Sequence, residues 1–182
     1  MAESFILLES DLIYAGSIIS LYVDKIKSPE GRVMEREVVK HPDAVGIVAI
    51  NKRKEIVFVK QYRHAIDADL LEIPAGLLAD SESPEECAVR ELREETGYRA
   101  GAVHKLAEFY TSAGFTDERF YLFFTDEIEE GEPERDEGEE GMQVERIPFI
   151  KAVEMAASGK IEDAKTLTAI LMAARRIGRI EV

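Results

Sequence analysis

The chain has 182 residues, of which 46% are apolar and 33% charged, which suits one well-cored globular domain with a small appendage. A net charge of −14 argues against nucleic acid and anionic membrane surfaces as partners, because both are bound through basic patches. The single cysteine, Cys87, excludes an internal disulfide and a multi-cysteine metal site. The longest apolar run, residues 44–50, is too short to cross a bilayer, and the acidic N-terminus does not resemble a signal peptide, so we expect a cytoplasmic location.

The predicted elements begin with three antiparallel strands and continue with a mixture of strands and helices. The predicted strands are residues 4–14, 18–26, 33–40, 44–50, 56–62, 70–75, 103–109, 120–125 and 142–149. The predicted helices are residues 84–96, 150–158 and 163–177. Several strands with a few separate helices indicate an α+β layered fold. We expect a small N-terminal β element in residues 1–40 and the main domain in residues 41–182.

Local signals define the helix at residues 84–96. Ser83 is a good N-cap, Pro84 suits the first helical position, and Glu86 completes a capping box with Ser83. Gly97 suits the position just after the last helical residue. The sequence therefore predicts a helix with well-marked ends.

Three carboxylates share one side of this helix. At about 100° per residue, Glu91, Glu94 and Glu95 fall within an arc of about 100°. Grouped carboxylate oxygens are the ligands that hold Mg²⁺ or Mn²⁺ beside a phosphate. The alternative is a solvated acidic face, which is common on helices of acidic proteins. The fixed positions that precede the carboxylates favour the metal site.

Residues 76–98 match a known motif without a gap or a substitution. The motif reads Gly76, five residues, Glu82, seven residues, Arg90, Glu91, an aliphatic residue, one residue, Glu94, Glu95, one residue, Gly97 and an apolar residue. This is the Nudix box, and the chain therefore resembles the Nudix hydrolases. The resemblance implies an α/β/α sandwich with a mixed sheet between helices.

The same resemblance implies roles for individual residues. Glu91 and Glu95 correspond to the main metal ligands, Glu94 to a further ligand with a part in catalysis, and Ala75 to the residue whose carbonyl binds metal. Gly76, Glu82, Arg90 and Gly97 are the structural positions of the motif. Mg²⁺ or Mn²⁺ is the expected cofactor. Independently of the family, the fork-shaped guanidinium of Arg90 suits it to hold carboxylates such as Glu94 in place.

Several segments resemble one branch of the family, the ADP-ribose pyrophosphatases. They are residues 71–76, which lead into the box, residues 61–63, which end a strand, and residues 114–118. One departure is Ala113, which stands where that branch usually has a proline. The candidate substrate-binding residues are Arg36, Arg63, Glu72, Gly114 and Glu118. A salt bridge at the strand end is the alternative for Arg63, and ordinary surface roles are the alternative for Glu72 and Glu118.

An acidic segment, residues 126–140, contains ten acidic residues and one basic residue. Its composition predicts a mobile, self-repelling loop. Such a loop can also supply one carboxylate to the site after substrate binds, and Glu140 and Glu139 are the candidates for this catalytic role.

The leading functional hypothesis is hydrolysis of ADP-ribose to AMP and ribose 5-phosphate. The alternative is hydrolysis of another nucleoside diphosphate sugar, such as GDP-mannose. A non-catalytic ADP-ribose sensor is disfavoured because the box is complete and residues 150–182 are too few for the added basic domain of such sensors. The apolar N-terminal strands and the resemblance both predict a homodimer, in which Arg36 reaches the substrate of the partner subunit.

Overall fold

The computed structural model describes residues 4–134 and 141–178 of the chain. It contains the strands β1 (Ile6–Ala15), β2 (Ser20–Lys27), β3 (Val33–Lys40), β4 (Ala44–Ile50), β5 (Glu55–Arg63), β6 (Ala68–Glu72), β7 (Ala75–Leu77), β8 (Arg99–Ala100), β9 (His104–Tyr110), β10 (Arg119–Thr125), β11 (Ile128–Glu129) and β12 (Gln143–Pro148). The helices are α1 (Pro84–Thr96), α2 (Phe149–Ala157) and α3 (Ala164–Arg176), with a short 3₁₀ helix at His64–Ile66. The chain divides into two compact units. The first comprises Met1–Asp43 and Tyr110–Arg119, and the second comprises Ala44–Phe109 and Phe120–Val182.

The first unit is built on a three-stranded antiparallel sheet in the order β1-β2-β3. All ten residues of β1 are exposed, including large apolar ones on both faces of the strand. The segment Tyr110–Arg119 joins β3 through backbone hydrogen bonds, since Val39 donates to the Phe115 carbonyl at 2.8 Å. Lys40 pairs with Asp117 at 2.7 Å and holds this segment at the end of β3.

The second unit is organised by a seven-stranded mixed sheet. The central order is β12-β5-β4-β10-β9, with β6 paired to β5 and β7 paired to β4. Strand β10 runs parallel to β4, whereas β12, β4 and β6 each run antiparallel to β5. Strands β4 and β5 thus form a hairpin across residues 51–54.

Strand β4 is buried on both faces, which explains its uninterrupted apolar sequence. Val45, Ile47 and Ala49 pack in one core cluster with α1 residues such as Leu92. The alternate residues Ala44, Val48 and Ile50 pack in a second cluster. That cluster contains residues of both α2 and α3. The sheet thus lies between helices, and the predicted α/β/α arrangement is confirmed.

Two local features differ from the sequence prediction. Residues 70–75 do not form one strand, because β6 ends at Glu72 and β7 begins at Ala75. Pro74 lies in the gap, and a proline has no N–H to donate to a strand ladder. The start of the acidic segment is also not a mobile loop, since β11 pairs with β8 through Ile128 and Ala100. Glu139 and Glu140 lie outside the described residues.

No helix in the described ranges is long and apolar enough to cross a membrane.

Candidate active site

Helix α1 has the ends that its sequence predicts. The Ser83 hydroxyl accepts a hydrogen bond from the Glu86 N–H, and the Glu86 carboxylate accepts one from the Ser83 N–H at 2.9 Å. Gly97 ends the helix with φ of +79°, a left-handed conformation that favours glycine. These two ends fix which residues of α1 face the sheet.

The apolar side of α1 packs on the sheet and carries the carboxylates with it. Cys87, Ala88 and Leu92 are fully buried in the cluster that includes β4 and β5. Burial raises the pKa of the Cys87 thiol to about 12. Glu91 and Glu95, on the edge of this packed side, are only 7% and 3% exposed. Their charges therefore lie at the boundary between helix and sheet.

Strand β7 meets the two buried carboxylates. A Cβ atom on Gly76 would lie 2.0 Å from Oε1 of Glu91, so any other residue there would displace that carboxylate from its position. The Ala75 N–H donates to Oε2 of Glu95 at 3.1 Å. The structure thus brings Ala75, Gly76, Glu91 and Glu95 together, four of the positions singled out in the sequence.

Arg90 connects the carboxylates to one another. Its guanidinium donates to both oxygens of Glu82 at 2.8 and 2.9 Å, to Glu91 at 2.6 Å and to Glu94 at 2.9 Å. It also donates to the Leu77 carbonyl at 3.2 Å, which ties α1 to the end of β7. The contact with Glu82 is the main cause of the raised pKa of Arg90 and of the lowered pKa of Glu82. Arg90 and Glu82 are therefore both charged over the ordinary pH range.

The donor set of this site suits a hard divalent cation. Within the described part of the chain, no three Asp, Glu, His or Cys side chains converge closely enough to form a ready metal cluster. The carboxylates instead accept hydrogen bonds from Arg90, which joins Glu91 to Glu94, and from the Ala75 N–H, which binds Glu95. The donors are nonetheless all oxygens, two of the carboxylates are buried, and they adjoin the backbone of β7. This is the chemistry that Mg²⁺ and Mn²⁺ prefer.

Arg63 and Glu72 lie beside the box. The Arg63 guanidinium donates to both Glu72 oxygens, at 2.6 and 2.7 Å, and Glu72 is only 1% exposed. This hydrogen bonding is the main cause of the raised pKa of Arg63, and the charges of Glu95 and Asp163 add to it. The structure therefore brings Arg63 and Glu72 together near Glu95.

The remaining substrate candidates belong to the first unit. Arg36 and Gly114 both line a cavity of about 410 Å³. Glu118 accepts a hydrogen bond from the Thr111 hydroxyl and lies 3.8 Å from His41. Phe115, which is exposed, lines the same cavity as Arg36 and is a residue that sequence reasoning did not select. Its signal in the sequence was its place in the segment 114–118.

The first residues of the acidic segment contact the end of α1, which the sequence did not indicate. The Glu134 N–H donates to the Glu94 carbonyl at 3.1 Å, and the Glu134 carboxylate lies 3.7 Å from Arg93. A Cβ atom on Gly97 would lie 2.4 Å from the Gly131 carbonyl oxygen. Two glycines thus allow the backbones to approach closely.

Comparison with known proteins agrees with the family that the motif indicates. Residues 40–170 match the NUDIX domain. The chain is 40% identical to an ADP-ribose pyrophosphatase of Bacillus subtilis (strain 168), over 87% of this chain and 86% of that protein. It is 34% identical to a methanol dehydrogenase activator of Bacillus methanolicus, over 90% of this chain and 89% of that protein. It is 36% identical to a GDP-mannose pyrophosphatase of Cronobacter sakazakii (strain ATCC BAA-894), over 73% of this chain and 74% of that protein.

A solved structure supports the fold. The crystal structure of an ADP compounds hydrolase superposes with a TM-score of 0.87 at 19% identity, covering 99% of each chain. The chain belongs to the Nudix family. It is a hydrolase of that family, whose members generally need a divalent metal ion.

Proposed function

We propose that this Nudix hydrolase cleaves the pyrophosphate bond of ADP-ribose and releases AMP and ribose 5-phosphate. The observation that carries the proposal is the complete box, in which Glu91 and Glu95 are buried against Ala75 and Gly76. The similarity to an ADP-ribose pyrophosphatase over most of both chains supports the choice of substrate.

The proposed metal site uses the box carboxylates. Glu91, Glu94, Glu95 and the Ala75 carbonyl would hold Mg²⁺ or Mn²⁺. When bound, the metal ion would draw charge from the phosphate oxygens and lower the pKa of an attacking water. Arg90 would keep Glu91 and Glu94 in place through the hydrogen bonds that it already makes. Which of the two metals is used, and the cytoplasmic location, stay predictions.

The proposed reaction is the attack of a water molecule on the pyrophosphate. The water oxygen forms a bond to one phosphorus, the bond from that phosphorus to the bridging oxygen breaks, and a carboxylate accepts the proton of the water. Arg63 would bind a phosphate oxygen, because it can exchange one of its two hydrogen bonds to Glu72 for one to the substrate and remain charged.

The substrate is tested by steady-state hydrolysis of ADP-ribose, GDP-mannose, a nucleoside triphosphate and a dinucleoside polyphosphate. We expect the highest kcat/KM for ADP-ribose, with AMP and ribose 5-phosphate formed in equal amounts. A chelator should abolish activity, and Mg²⁺ or Mn²⁺ should restore it. Failure to hydrolyse any nucleoside diphosphate sugar would overturn the proposal.

GDP-mannose is the second candidate substrate. Ala113 departs from the pattern of the ADP-ribose branch, and the chain is 36% identical to a GDP-mannose pyrophosphatase. Faster hydrolysis of GDP-mannose than of ADP-ribose in the same assay would select this alternative and leave the chemistry unchanged.

The proposed assembly is a homodimer formed through the first unit. Strand β1 carries exposed apolar side chains on both sides of its polar middle, residues 9–11, and a second copy of the chain would remove them from water. In such a dimer Arg36 would reach the substrate of the partner subunit. Sedimentation that gives a monomer at micromolar concentration would contradict the dimer and this role of Arg36.

The proposed general base is Glu140 or Glu139, both outside the described residues. Glu140→Gln should lower kcat by about 10²–10⁴-fold and raise KM far less, because its role begins after binding. Glu130→Gln and Glu134→Gln are the controls and should be nearly silent, since both side chains are mostly exposed. A severe effect of Glu139→Gln alone would assign the role to Glu139. If neither Glu139→Gln nor Glu140→Gln changes kcat, the general base does not lie in this segment.

A further inference from the structure

We infer that Thr166, on α3, is a positioning residue for the segment Ile73-Pro74-Ala75 and thereby for the metal-binding edge of the site. The inference rests on the proposed function, because it assigns a purpose to that edge. Thr166 is joined to the segment through the Ile73 N–H, and it lies 93 residues from Ile73 along the chain. Its effect is therefore transmitted through the backbone of the segment.

The segment between β6 and β7 is held by three different elements. The Ile73 N–H donates to the Thr166 hydroxyl oxygen at 2.9 Å, which attaches the segment to α3. The Pro74 carbonyl accepts from the Ile47 N–H at 3.0 Å, which attaches it to β4. The Ala75 N–H donates to Glu95 at 3.1 Å, which attaches it to α1. Three consecutive residues thus each take a partner from a different element.

These contacts replace regular strand pairing at this point. Strand β6 ends at Glu72 and β7 begins at Ala75, and Pro74 has no N–H. Ala75 pairs with Gly46 of β4, and its position relative to Glu95 also depends on how the two residues before it are attached. The bond from Ile73 to Thr166 is the one that comes from outside the sheet and the box.

Asp163 fixes the direction of the Thr166 hydroxyl. Its Oδ2 accepts from the Thr166 N–H at 2.8 Å and from the Thr166 hydroxyl at 2.7 Å. Because the hydroxyl proton is committed to Asp163, an oxygen lone pair remains to accept from Ile73. Thr166 is fully buried and Asp163 is 8% exposed, so no solvent-facing conformation competes with this arrangement. The hydroxyl thus acts as a fixed acceptor.

A displacement at Ile73 would affect both sides of the site. Glu72, the preceding residue, holds Arg63 through two hydrogen bonds. Ala75, two residues later, holds Glu95. Removing the acceptor leaves a buried N–H without a partner, which the backbone can relieve only by moving. We expect the movement to reach the Ala75 carbonyl and weaken metal binding, as loss of outer hydrogen-bond partners of metal sites generally does.

The test compares Thr166→Val with Thr166→Ser. Valine keeps the shape and removes the acceptor, whereas serine keeps the hydroxyl. Thr168→Val is the matched control, because the Thr168 hydroxyl only donates to the Ala164 carbonyl within the same helix. Mn²⁺ binding is measured by electron paramagnetic resonance, alongside circular dichroism, and kcat and KM for ADP-ribose are measured over a range of Mg²⁺ concentrations.

We expect Thr166→Val to weaken Mn²⁺ binding by about 10–100-fold, with wild-type secondary structure and a higher Mg²⁺ requirement for kcat. Thr166→Ser and Thr168→Val should bind Mn²⁺ like the wild type. Should Thr166→Val fail to fold, Thr166→Cys makes the same comparison, since a thiol is a weak acceptor. Wild-type Mn²⁺ affinity in the folded valine or cysteine variant overturns the inference and leaves the proposed function intact. A wild-type protein that neither binds Mn²⁺ nor hydrolyses ADP-ribose overturns the proposed function, and the inference with it.

Discussion

Most side chains of the box helix α1 are buried or hydrogen-bonded, whereas those of the N-terminal strand β1 are exposed. On α1 the capping box is formed by Ser83 and Glu86, and the carboxylates accept hydrogen bonds from Arg90 and from the Ala75 N–H. The apolar side of the helix is buried. Strand β1 has regular pairing with β2 but leaves residues such as Leu12 and Ile13 more than half exposed. The comparison teaches that the box is organised within one unit, whereas the other unit exposes an apolar surface that a second copy of the chain would cover in the proposed dimer.

The largest expected effect is on the box. Glu95→Gln and Glu91→Gln should each lower kcat by about 10²–10³-fold, the cost of losing one strong electrostatic contact in the transition state. Steady-state kinetics with saturating Mg²⁺ provide the measurement. Glu85→Gln is the control, because Glu85 lies on the exposed first turn of the same helix. Near-wild-type activity of Glu95→Gln would remove α1 from the proposed chemistry.

The next largest effect is expected on dimer formation through strand β1. Leu12→Asp places a charge in the apolar surface of β1 and should weaken a dimer by about 2 kcal/mol, or about 30-fold in Kd. Sedimentation equilibrium across a concentration series measures the change. Glu9→Gln, on the same exposed strand, should leave the assembly unchanged. An unaltered dimer in the Leu12 variant would place the interface elsewhere.

A smaller effect on stability tests whether the capping box of α1 determines where the helix begins. Ser83→Ala removes the side-chain acceptor of the capping box and should lower the free energy of unfolding by about 1 kcal/mol. Urea denaturation gives this value, and Ser81→Ala, in the turn before the helix, is the control. Equal stability of the two variants would mean that packing alone determines where α1 begins.

The smallest effect is a pH dependence that differs between the two units. Burial opposes ionisation of Asp163 most strongly, but hydrogen bonds from Lys165 and Thr166 outweigh it and hold its pKa below the ordinary value of 3.8. Its stabilising contribution is therefore present above about pH 3.8 and is lost as the pH falls through the lower pKa of the folded state. Asp117, in the first unit, also has a lowered pKa, although its carboxylate is far more exposed.

Urea denaturation at pH 7 and pH 3 tests this difference. The stability gap between wild type and Asp163→Asn should shrink at pH 3, whereas Asp117→Asn should differ little from wild type at either pH, because exposed ion pairs contribute little. A constant gap for Asp163→Asn would mean that its charge does not stabilise the fold.

Sequence alone predicts those parts of the molecule that depend on neighbouring residues. The bounds of α1 follow from Ser83, Glu86 and Gly97, and the burial of β4 follows from its uninterrupted apolar sequence. The order of strands and helices was sufficient to predict the layered fold. The motif also selected residues of the box that the structure brings together.

The remaining features depend on partners that are distant in the chain. The pairing of β11 with β8 needs Ala100 and Ile128 to meet, and the hydrogen bond from Ile73 to Thr166 joins residues 93 positions apart. No periodicity or spacing encodes such contacts. The two-pronged contact of Arg63 with Glu72 was open as an alternative in the sequence, and only the geometry of β5 and β6 brings it about.

The burial of Cys87 has a practical consequence for labelling. Its thiol is inaccessible and, with a pKa of about 12, is almost entirely unreactive towards maleimides at neutral pH. A cysteine introduced on the exposed strand β1 would therefore be the one reactive thiol of the native protein, and the natural cysteine need not be replaced. Spin or fluorescent labels at that position would test for the proposed dimer, by distances between two copies of the chain, without disturbing α1.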